Sequence, residues 1–460
     1  MNPSSKKRFS IGYLLFLLPF ALAYLSWAYF PSVAQWIIAR GFGYSASERA
    51  ASFVWLALIS FFYTWYTFLA IGFAGTWIVA AFLARRKRGG VERGMFYPMV
   101  SFVVPAFNEE AHVASCVASL QACAEAYGGN CEVILVDDGS TDFTFEAAWR
   151  AVHDSKTAGK CRVRWKVIKH MVNLGKVEAL RTGVNVALGQ VVAIVDADSK
   201  WFPGTLVQLV DAMLADDKKA VTGYIHPRAD DGDGLLVSLQ QLEYSQGLGI
   251  DRCAQSLGSC VLVVPGAIGV YHADLLREIL TDGNIRSVTE DSEITLAIQK
   301  RGGRVGYVSA ARGSTDAPNV LGALWRQRLR WFTGWLHNIL DIHADLFRRV
   351  SWLSALLWYS FVFEFVGAFV DLVAVVAFPF LWWFAPDPLN FGLHLVVFWA
   401  YGLLISFVNQ AVALRFAYGD NQHLKLLRYT PLYPFLWIIN VFARLRSIVA
   451  YAGGSNGKWR

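Results

Sequence analysis

The sequence predicts an α/β catalytic domain, built on a mostly parallel sheet, that is inserted between transmembrane helices. Three observations lead to this prediction. Long uncharged stretches lie near both ends of the 460-residue chain. Between them, from about residue 99 to 310, short apolar runs with strand character alternate with helical patterns. Such alternation is typical of a parallel sheet with helices on both faces, and acidic residues directly follow two of the apolar runs.

The first 88 residues contain two stretches without charge. Ile11 to Phe30 follows the basic run Lys6 to Arg8, and Ser52 to Ala84 ends at the basic run Arg85 to Arg88. About 20 apolar residues cross a bilayer, so residues 1–88 are expected to form two transmembrane helices. Basic flanks favour the cytoplasmic side, which places the following domain in the cytosol. A cleaved signal peptide is the alternative for the first stretch.

The composition agrees with a membrane protein. The chain is 55% hydrophobic with a mean hydropathy of +0.37, which is too apolar for an ordinary soluble protein. The net charge of +7 lies largely in clusters beside the apolar stretches, where anionic lipid is a sufficient partner, so no nucleic acid is expected. The six cysteines form no CxxC pair, and the histidines form no HExxH pattern, so the sequence predicts no zinc site.

The central region, residues 89–320, supplies the predicted sheet. Its best strands and helices alternate in the order 101–104, 109–127, 132–136, 143–153, 163–168, 176–188, 191–195 and 203–214. In parallel sheets of this kind, ligands bind beyond the carboxyl ends of the strands. The acidic residues Asp137, Asp138, Asp196 and Asp198 all follow strand ends. We therefore expect them to lie near a ligand.

The C-terminal part is expected to return to the membrane. Residues 321–350 are too charged to cross it and too apolar to be free in water, which predicts interfacial amphipathic helices. Within residues 351–460, Trp352 to Phe384 and Phe391 to Leu414 are long enough to cross. Pro431 to Tyr451 is either a third crossing or a surface helix, because Arg444 and Arg446 oppose the positive-inside tendency.

Two acidic signatures follow predicted strands. Asp196 and Asp198 are one residue apart, and carboxylates so placed can hold Mg²⁺ or Mn²⁺, hard ions that bridge phosphates. A cap on the turn is the alternative for this pair. The segment Asp137 to Ser140 can accept hydrogen bonds from uracil or ribose. A turn in which Ser140 caps the next helix is the alternative there.

Two further signatures lie closer to the C-terminus. Thr289 to Asp291 precedes a predicted helix, where acids are also ordinary capping residues. Gln327 to Trp331 contains an arginine that can bind a diphosphate and a tryptophan whose flat face fits a sugar ring. Arg and Trp are also common membrane anchors. The four signatures in this order, followed by membrane, favour synthesis from a nucleotide-activated sugar.

Taken together, the four signatures resemble those of inverting family 2 glycosyltransferases with a GT-A fold, especially the processive membrane branch that makes cellulose, chitin, hyaluronan and poly-N-acetylglucosamine. The resemblance covers about residues 99–340. Thr289 to Asp291, Val263 to Ala267 and Trp325 to Trp331 are most similar to poly-N-acetylglucosamine synthases. The family implies a cytosolic GT-A domain over residues 89–320, in a protein of the cytoplasmic (inner) membrane.

The resemblance also implies roles for individual residues. Asp291 would be the general base and Glu290 its supporting neighbour. Asp198, together with Asp196, would bind Mg²⁺ or Mn²⁺, and Trp331 would hold the acceptor. The donor would be bound through its base, uridine, diphosphate and ribose by Phe107, Glu109, Asp138, Lys176, Asp196, Gln327 and Arg330.

These roles imply inverting transfer from a UDP-sugar, with UDP-N-acetylglucosamine as the expected donor, to a growing β-linked polysaccharide that the chain also helps to translocate. The expected partners are the donor, a polysaccharide or lipid acceptor and the bilayer, with room for an accessory membrane subunit. Two alternatives stay open. One is a non-processive transferase that makes a glycolipid, and the other is a catalytically silent membrane scaffold.

Two acids lie inside an otherwise apolar predicted span. Glu364 and Asp371 are two helical turns apart and so lie on nearly the same face. Intramembrane acids usually face a bundle interior or an aqueous cavity. We expect them to line a path for nascent saccharide, with Asn409 and Gln410 of the next span. Hydrogen bonds between packed helices are the alternative.

Overall fold

The computed structural model describes Trp65 and residues 71–86, 97–158, 163–229, 232–282, 285–383 and 388–454. The predicted span Ile11 to Phe30 and most of Ser52 to Ala84 lie outside these residues. The strands of the central domain are β1 Val100–Ala106, β2 Cys131–Asp137, β3 Arg164–Lys169, β4 Val191–Ile194, β5 Lys200–Trp201, β6 Ala220–Arg228, β7 Gly269–His272 and β8 Val305–Asp316.

Among the described residues, the strands form one mixed sheet in the order β3-β2-β1-β4-β7-β6-β8-β5. The pairs β1–β2, β1–β4, β2–β3 and β6–β8 are parallel, so the predicted mostly parallel sheet is confirmed. Strand β7 runs antiparallel to both β4 and β6 and was not predicted. It is only four residues long, too short for a clear alternation of apolar and polar residues.

Helices flank the sheet and continue towards the C-terminus. They are α1 Ile71–Arg86, α2 Val113–Tyr127, α3 Thr144–Ala158, α4 Lys176–Asn185, α5 Thr205–Ala215, α6 Leu235–Tyr244, α7 Arg252–Gln255, α8 Ala273–Asp282, α9 Glu290–Lys300, α10 Leu321–His337, α11 Trp352–Ser360, α12 Gly367–Trp383, α13 Pro388–Tyr418 and α14 Tyr433–Ala452. Helix α2 begins at Val113 rather than at the predicted Glu109. The intervening residues instead form a turn that joins two loops of the candidate site.

The central strands β1, β2 and β4 are buried on both faces, which explains why they are almost continuously apolar, whereas the edge strand β3 is only partly buried. Phe102 and Val104 of β1 pack with α2 and α5 on one face. Val103, between them, packs on the other face with α4, α8 and α9, and this second layer extends into α10 and α14. The α/β domain and the C-terminal helices therefore share one hydrophobic core.

Two segments in the described part are long and apolar enough to cross a membrane, Trp352–Val376 and Gln422–Ala452. The second contains α14, which packs along α10: the Arg444 guanidinium lies 4.8 Å from the centre of the Phe332 ring. At its end, the Tyr451 hydroxyl donates to Asp341 Oδ1 at 2.6 Å. Residues 433–452 thus lie against the predicted interfacial segment.

Candidate active site

The loops after β1 and β2 are joined to each other by hydrogen bonds. Asn108 has a left-handed backbone (φ 56°), which Asn tolerates better than most residues. Its side-chain oxygen accepts from the Thr141 backbone N–H at 2.9 Å, and its own N–H donates to Ser140 Oγ at 3.0 Å. Gly139 has φ 70°, and a Cβ there would lie 2.5 Å from the Val172 carbonyl carbon. The Asp-Asp-Gly-Ser signature therefore requires its glycine.

Asp138 holds the loop that leads to α4. Its side chain is buried, and it accepts from the backbone N–H groups of Leu174 (3.0 Å) and Gly175 (2.7 Å). His170 Nδ1 lies 2.7 Å from the same carboxylate. Both oxygens thus have protein partners, which gives Asp138 a structural task beside the predicted contact with uridine. That contact remains a prediction.

Lys176, the first residue of α4, joins two of the sequence signatures. Its Nζ lies 2.7 Å from Asp196 Oδ1 and 2.8 Å from Glu290 Oε1. Burial lowers the pKa of Lys176, but the two carboxylates outweigh this effect and raise it, so the ammonium stays charged. The Asp196–Asp198 pair and the Thr289–Asp291 signature, far apart in the sequence, are therefore brought together around one cation.

Within the part of the chain that the structure describes, Asp196 and Asp198 each keep one carboxylate oxygen without a hydrogen-bond partner. Asp198 Oδ1 accepts from Ser199 Oγ at 3.0 Å and Thr315 Oγ1 at 3.2 Å, whereas its Oδ2 has no such partner among the described residues. Burial, followed by repulsion from Asp196 and Glu109, raises the pKa of Asp198 to about 7. The pair fits a divalent cation that would relieve this repulsion.

Gly266 keeps the space beside this pair open. A Cβ at this position would lie 2.8 Å from Lys176 Nζ and 2.9 Å from Asp196 Oδ1. Among the described residues, no group of three or more His, Cys, Asp or Glu side chains is placed to hold a metal. Two carboxylates alone leave most of a magnesium shell to water and to phosphate oxygens, as is usual for this ion.

Asp291 lies in the first turn of α9. Its Oδ1 accepts from the Ser292 N–H at 2.7 Å, and its Oδ2 has no hydrogen-bond partner in the part of the chain that the structure describes. Burial, reinforced by the Glu290 charge, raises the pKa of Asp291 to about 6. A carboxylate with a raised pKa and a free oxygen is suited to accept a proton near neutral pH.

The segment before Asp291 is fastened to the end of α10. Asn338 Nδ2 donates to Ser292 Oγ at 2.6 Å and to Thr289 Oγ1 at 3.1 Å. Gly334 allows this approach, since a Cβ there would lie 2.4 Å from Thr289 Oγ1. The position of Asp291 therefore depends on the helix that carries the Gln327–Trp331 signature.

Within that signature, Arg328 is the buried member. Its guanidinium pairs with Glu243 of α6 and lies 4.7 Å from the centre of the Trp331 ring. Glu243 also accepts from Asn440 Nδ2 of α14 at 2.7 Å. This network fixes Trp331 from two other helices. Sequence reasoning missed both Glu243 and Asn440, because neither has a local signal.

The remaining predicted donor residues are available to a ligand. Arg330 is exposed and makes no ion pair with the described residues, and Gln327 Oε1 is buried without a hydrogen-bond partner there. Phe107 is 44% exposed, which leaves its ring free to stack on a base. Glu109 lies 2.9 Å from His112 Nδ1, and burial raises its pKa. Their roles in binding remain predictions.

Sequence comparisons identify the family. The family described as glycosyl transferase family 2 matches residues 101–280, and glycosyl transferase family group 2 matches residues 191–409. An N-acetylglucosaminyltransferase of Neorhizobium galegae is 29% identical over 264 residues, which are 55% of this chain and 59% of the relative. A poly-beta-1,6-N-acetyl-D-glucosamine synthase of Staphylococcus aureus is 27% identical over 45% of this chain and 48% of its own length.

The matches thus span about half to three fifths of the length of these relatives. A solved structure of a mannosyltransferase from Pyrobaculum calidifontis, in complex with GDP-Man and Mn²⁺, superimposes with a TM-score of 0.50. It is 19% identical, and the match covers 84% of this chain and 97% of that one. The predicted GT-A-like fold is therefore confirmed.

Proposed function

This chain is a family 2 glycosyltransferase, related to poly-N-acetylglucosamine synthases, and on that premise we propose that it transfers N-acetylglucosamine from UDP to a growing β-linked polysaccharide. Its similarity to an N-acetylglucosaminyltransferase and to a poly-beta-1,6-N-acetyl-D-glucosamine synthase supports this choice of sugar. The observation that carries the proposal is the double contact of Lys176 with Asp196 and Glu290. It brings together the Lys176 ammonium, Asp196 of the predicted metal-binding pair and the buried Glu290 carboxylate.

Transfer with inversion needs a base for the acceptor hydroxyl and compensation for the departing diphosphate. Asp291 takes the hydroxyl proton through its free Oδ2. The acceptor oxygen then bonds to the anomeric carbon as the bond to the diphosphate breaks, and UDP leaves on the opposite side. Its raised pKa makes Asp291 a stronger base than an ordinary aspartate.

In this proposal, the negative charge of the departing diphosphate is compensated by positive groups on two sides. Lys176 supplies a fixed positive charge, and Arg330 has a fork of donors that suits phosphate oxygens. Asp196 and Asp198 would hold Mg²⁺ or Mn²⁺, which supplies Lewis-acid charge neutralisation when bound. Trp331, held by Arg328, offers an apolar face to the acceptor sugar.

We place the chain in the cytoplasmic membrane, with residues 89–320 as a cytosolic domain. Spans within residues 1–88 and 351–460 would flank it, joined by the interfacial residues 321–350. The two long apolar segments support membrane attachment. Such a chain would keep its polymer beside the bilayer and help to move it across.

The intramembrane polar residues bear on this translocation. Glu364 accepts from Ser360 Oγ at 3.0 Å, and Ser360 also accepts from Trp335 Nε1 of α10 at 3.0 Å. These bonds join the Glu364 carboxylate to α10, and we propose that the polar path for the saccharide begins there. Gln410 instead bonds to Ser406 and Thr430, which agrees with packing between helices rather than with lining a path.

The test uses the purified full-length chain with a panel of UDP-sugars and either Mg²⁺ or Mn²⁺. We expect UDP-N-acetylglucosamine to be consumed and a ladder of products to appear by mass spectrometry. A single sugar on a lipid would indicate the glycolipid synthase instead. Consumption of no UDP-sugar, with folding intact, would exclude the proposal.

A further inference from the structure

A cavity separate from the candidate active site lies beside α9, one helical turn beyond Glu290 on the same face of the helix. It has a volume of about 640 Å³ and lies between α9, the end of α8 and the π-helical turn Asn338–Ile342. Its α9 wall is formed by Glu293, Ala297, Lys300 and Arg301. Pockets for organic ligands measure roughly 300–1,000 Å³, so this one is larger than a lone inorganic ion needs.

We call this the α9 cavity. Its acidic side chains already have protein partners, so its basic side chains are the groups available to bind a ligand. Glu293 already accepts from the backbone N–H groups of Arg286 (2.9 Å) and Ser287 (2.8 Å). Asp341 already accepts from Tyr451 and contacts His337. Each acid therefore already has two protein partners.

The basic side chains of the cavity are held by weak, solvent-exposed ion pairs or by none. Lys300 pairs with Asp345 and Arg301 with Glu278, carboxylates that are 43% and 52% exposed. Exposed ion pairs of this kind contribute little and exchange readily. Arg286 has no carboxylate within 4.0 Å among the described residues. Three cationic groups can therefore turn to a bound anion at little cost.

His343 adds a buried polar group whose hydrogen bonding is incomplete. It is 5% exposed and lines the cavity; the Glu293 backbone lies near one ring nitrogen, but neither nitrogen makes a hydrogen bond of normal geometry to the described residues. Leaving a buried polar group unpaired is costly. Burial, reinforced by Lys300, lowers the pKa of His343 to about 4. At neutral pH the ring is uncharged, with one nitrogen donating and the other accepting.

We propose that the α9 cavity binds an organic anion that carries a phosphate group, with the phosphate on Arg286, Lys300 and Arg301 and a polar group of the ligand on His343. The apolar wall formed by Ile279 and Ile342 would cover the organic part. A soluble phosphoester and an anionic lipid headgroup offer the same chemistry.

Such a ligand would act on the segment that positions the catalytic acids. Arg286 directly precedes Ser287, whose Oγ accepts from the Thr289 N–H at 3.1 Å and lies 2.9 Å from Thr289 Oγ1. An anion that draws Arg286 into the cavity would therefore move or fix the residue before Glu290. We expect binding to change the transfer rate.

Binding is measured on the full-length chain without UDP, because UDP itself carries phosphate and would compete for the α9 cavity. A probe held in the donor site would bind the wild type and every variant equally, so the result is separable from the proposed function. AMP in detergent probes the soluble source. Nanodiscs of phosphatidylcholine with or without phosphatidylglycerol, scored by the thermal unfolding midpoint, probe the lipid source. Arg286→Gln and Lys300→Gln are the test variants, and Arg277→Gln, an exposed arginine paired with Asp274, is the matched control.

We expect one probe to bind the wild-type chain and Arg277→Gln equally. Arg286→Gln and Lys300→Gln should each bind roughly tenfold more weakly, the effect of one lost charge-assisted hydrogen bond. A response to AMP identifies a soluble ligand, and a response confined to phosphatidylglycerol identifies a lipid. Equal affinity in all four proteins, or no response to either probe at millimolar concentration, overturns the proposal.

Discussion

The candidate site has a proposed donor half, with Asp138, Asp196 and Asp198, and a proposed acceptor half, with Asp291 and Trp331. The two halves are built in different ways. The donor half consists of loops at neighbouring strand ends, joined by hydrogen bonds between residues 32 to 37 positions apart, such as Asn108 with Thr141 and Asp138 with Gly175. The acceptor half is held from farther away. Arg328 and Glu243 are 85 positions apart, and Glu243 and Asn440 are 197.

This difference assigns distinct tasks to the two halves. The donor half is part of the α/β domain and takes most of its geometry from its own strands, including Thr315 of β8 beside Asp198, while Gln327 and Arg330 would reach the donor from α10. The acceptor half takes its geometry from α6, α10 and α14, which also carry the interfacial and C-terminal residues. A change in the C-terminal helices should therefore disturb the acceptor side before the donor side. Lys176 is the single ion-pair bridge between the halves among the described residues.

The largest effect is expected from Asp198→Asn in the donor half. Removing a carboxylate that would hold the charge-neutralising divalent cation should lower kcat/KM by roughly 10³, as for the loss of other groups that stabilise transition-state charge. UDP binding in the presence of Mn²⁺, measured by calorimetry, should weaken as well. Asp217→Asn, an exposed aspartate paired with Lys219, is the control. Unchanged metal dependence in Asp198→Asn would contradict the assignment.

Lys176→Met tests the bridge and should lower kcat/KM by roughly 10². Because the lysine contacts both halves, KM for the donor should rise and kcat should fall together. Steady-state kinetics separate the two parameters. A change in KM alone would mean that Lys176 serves only the donor half. Lys169→Met, an exposed lysine 3.8 Å from Asp137, is the matched control.

Glu243→Gln tests the acceptor half. It leaves the buried Arg328 without its carboxylate, and breaking such a pair should destabilise the protein by about 3 kcal/mol. We expect kcat to fall about tenfold through misplacement of Trp331, with UDP affinity unchanged. Asp274→Asn, which breaks an exposed pair, should cost under about 1 kcal/mol. Loss of UDP affinity in Glu243→Gln would argue against two separable halves.

The smallest effect at neutral pH is expected from Glu290→Gln, which alters the neighbour of the proposed base Asp291. Asp291 acts when deprotonated, and its pKa is raised to about 6, so kcat/KM should be constant above that pH and fall as the pH drops through it. Glu290→Gln removes a neighbouring negative charge and should shift this acid limb to lower pH. The same limb in both proteins would show that another group controls it.

The same contrast explains what could be predicted from the sequence. Strands β1, β2 and β4 and the acids that follow them were predictable, because buried parallel strands are continuous apolar runs and ligands bind at their carboxyl ends. Asp291 was assigned only through a family resemblance, since an acid at a helix start is ordinary. Glu243, Asn338 and Asn440 could not be predicted, because each matters only through a partner from a distant element.

The most direct measurement compares donor binding with turnover in Asp291→Asn. The substitution keeps the size of the side chain and removes only its ability to take a proton. UDP-N-acetylglucosamine binding with Mn²⁺ should stay within about twofold of wild type, while transfer should fall by roughly 10³. Transfer within tenfold of wild type, with the fold intact, would contradict a site in which the donor half delivers the sugar to this carboxylate.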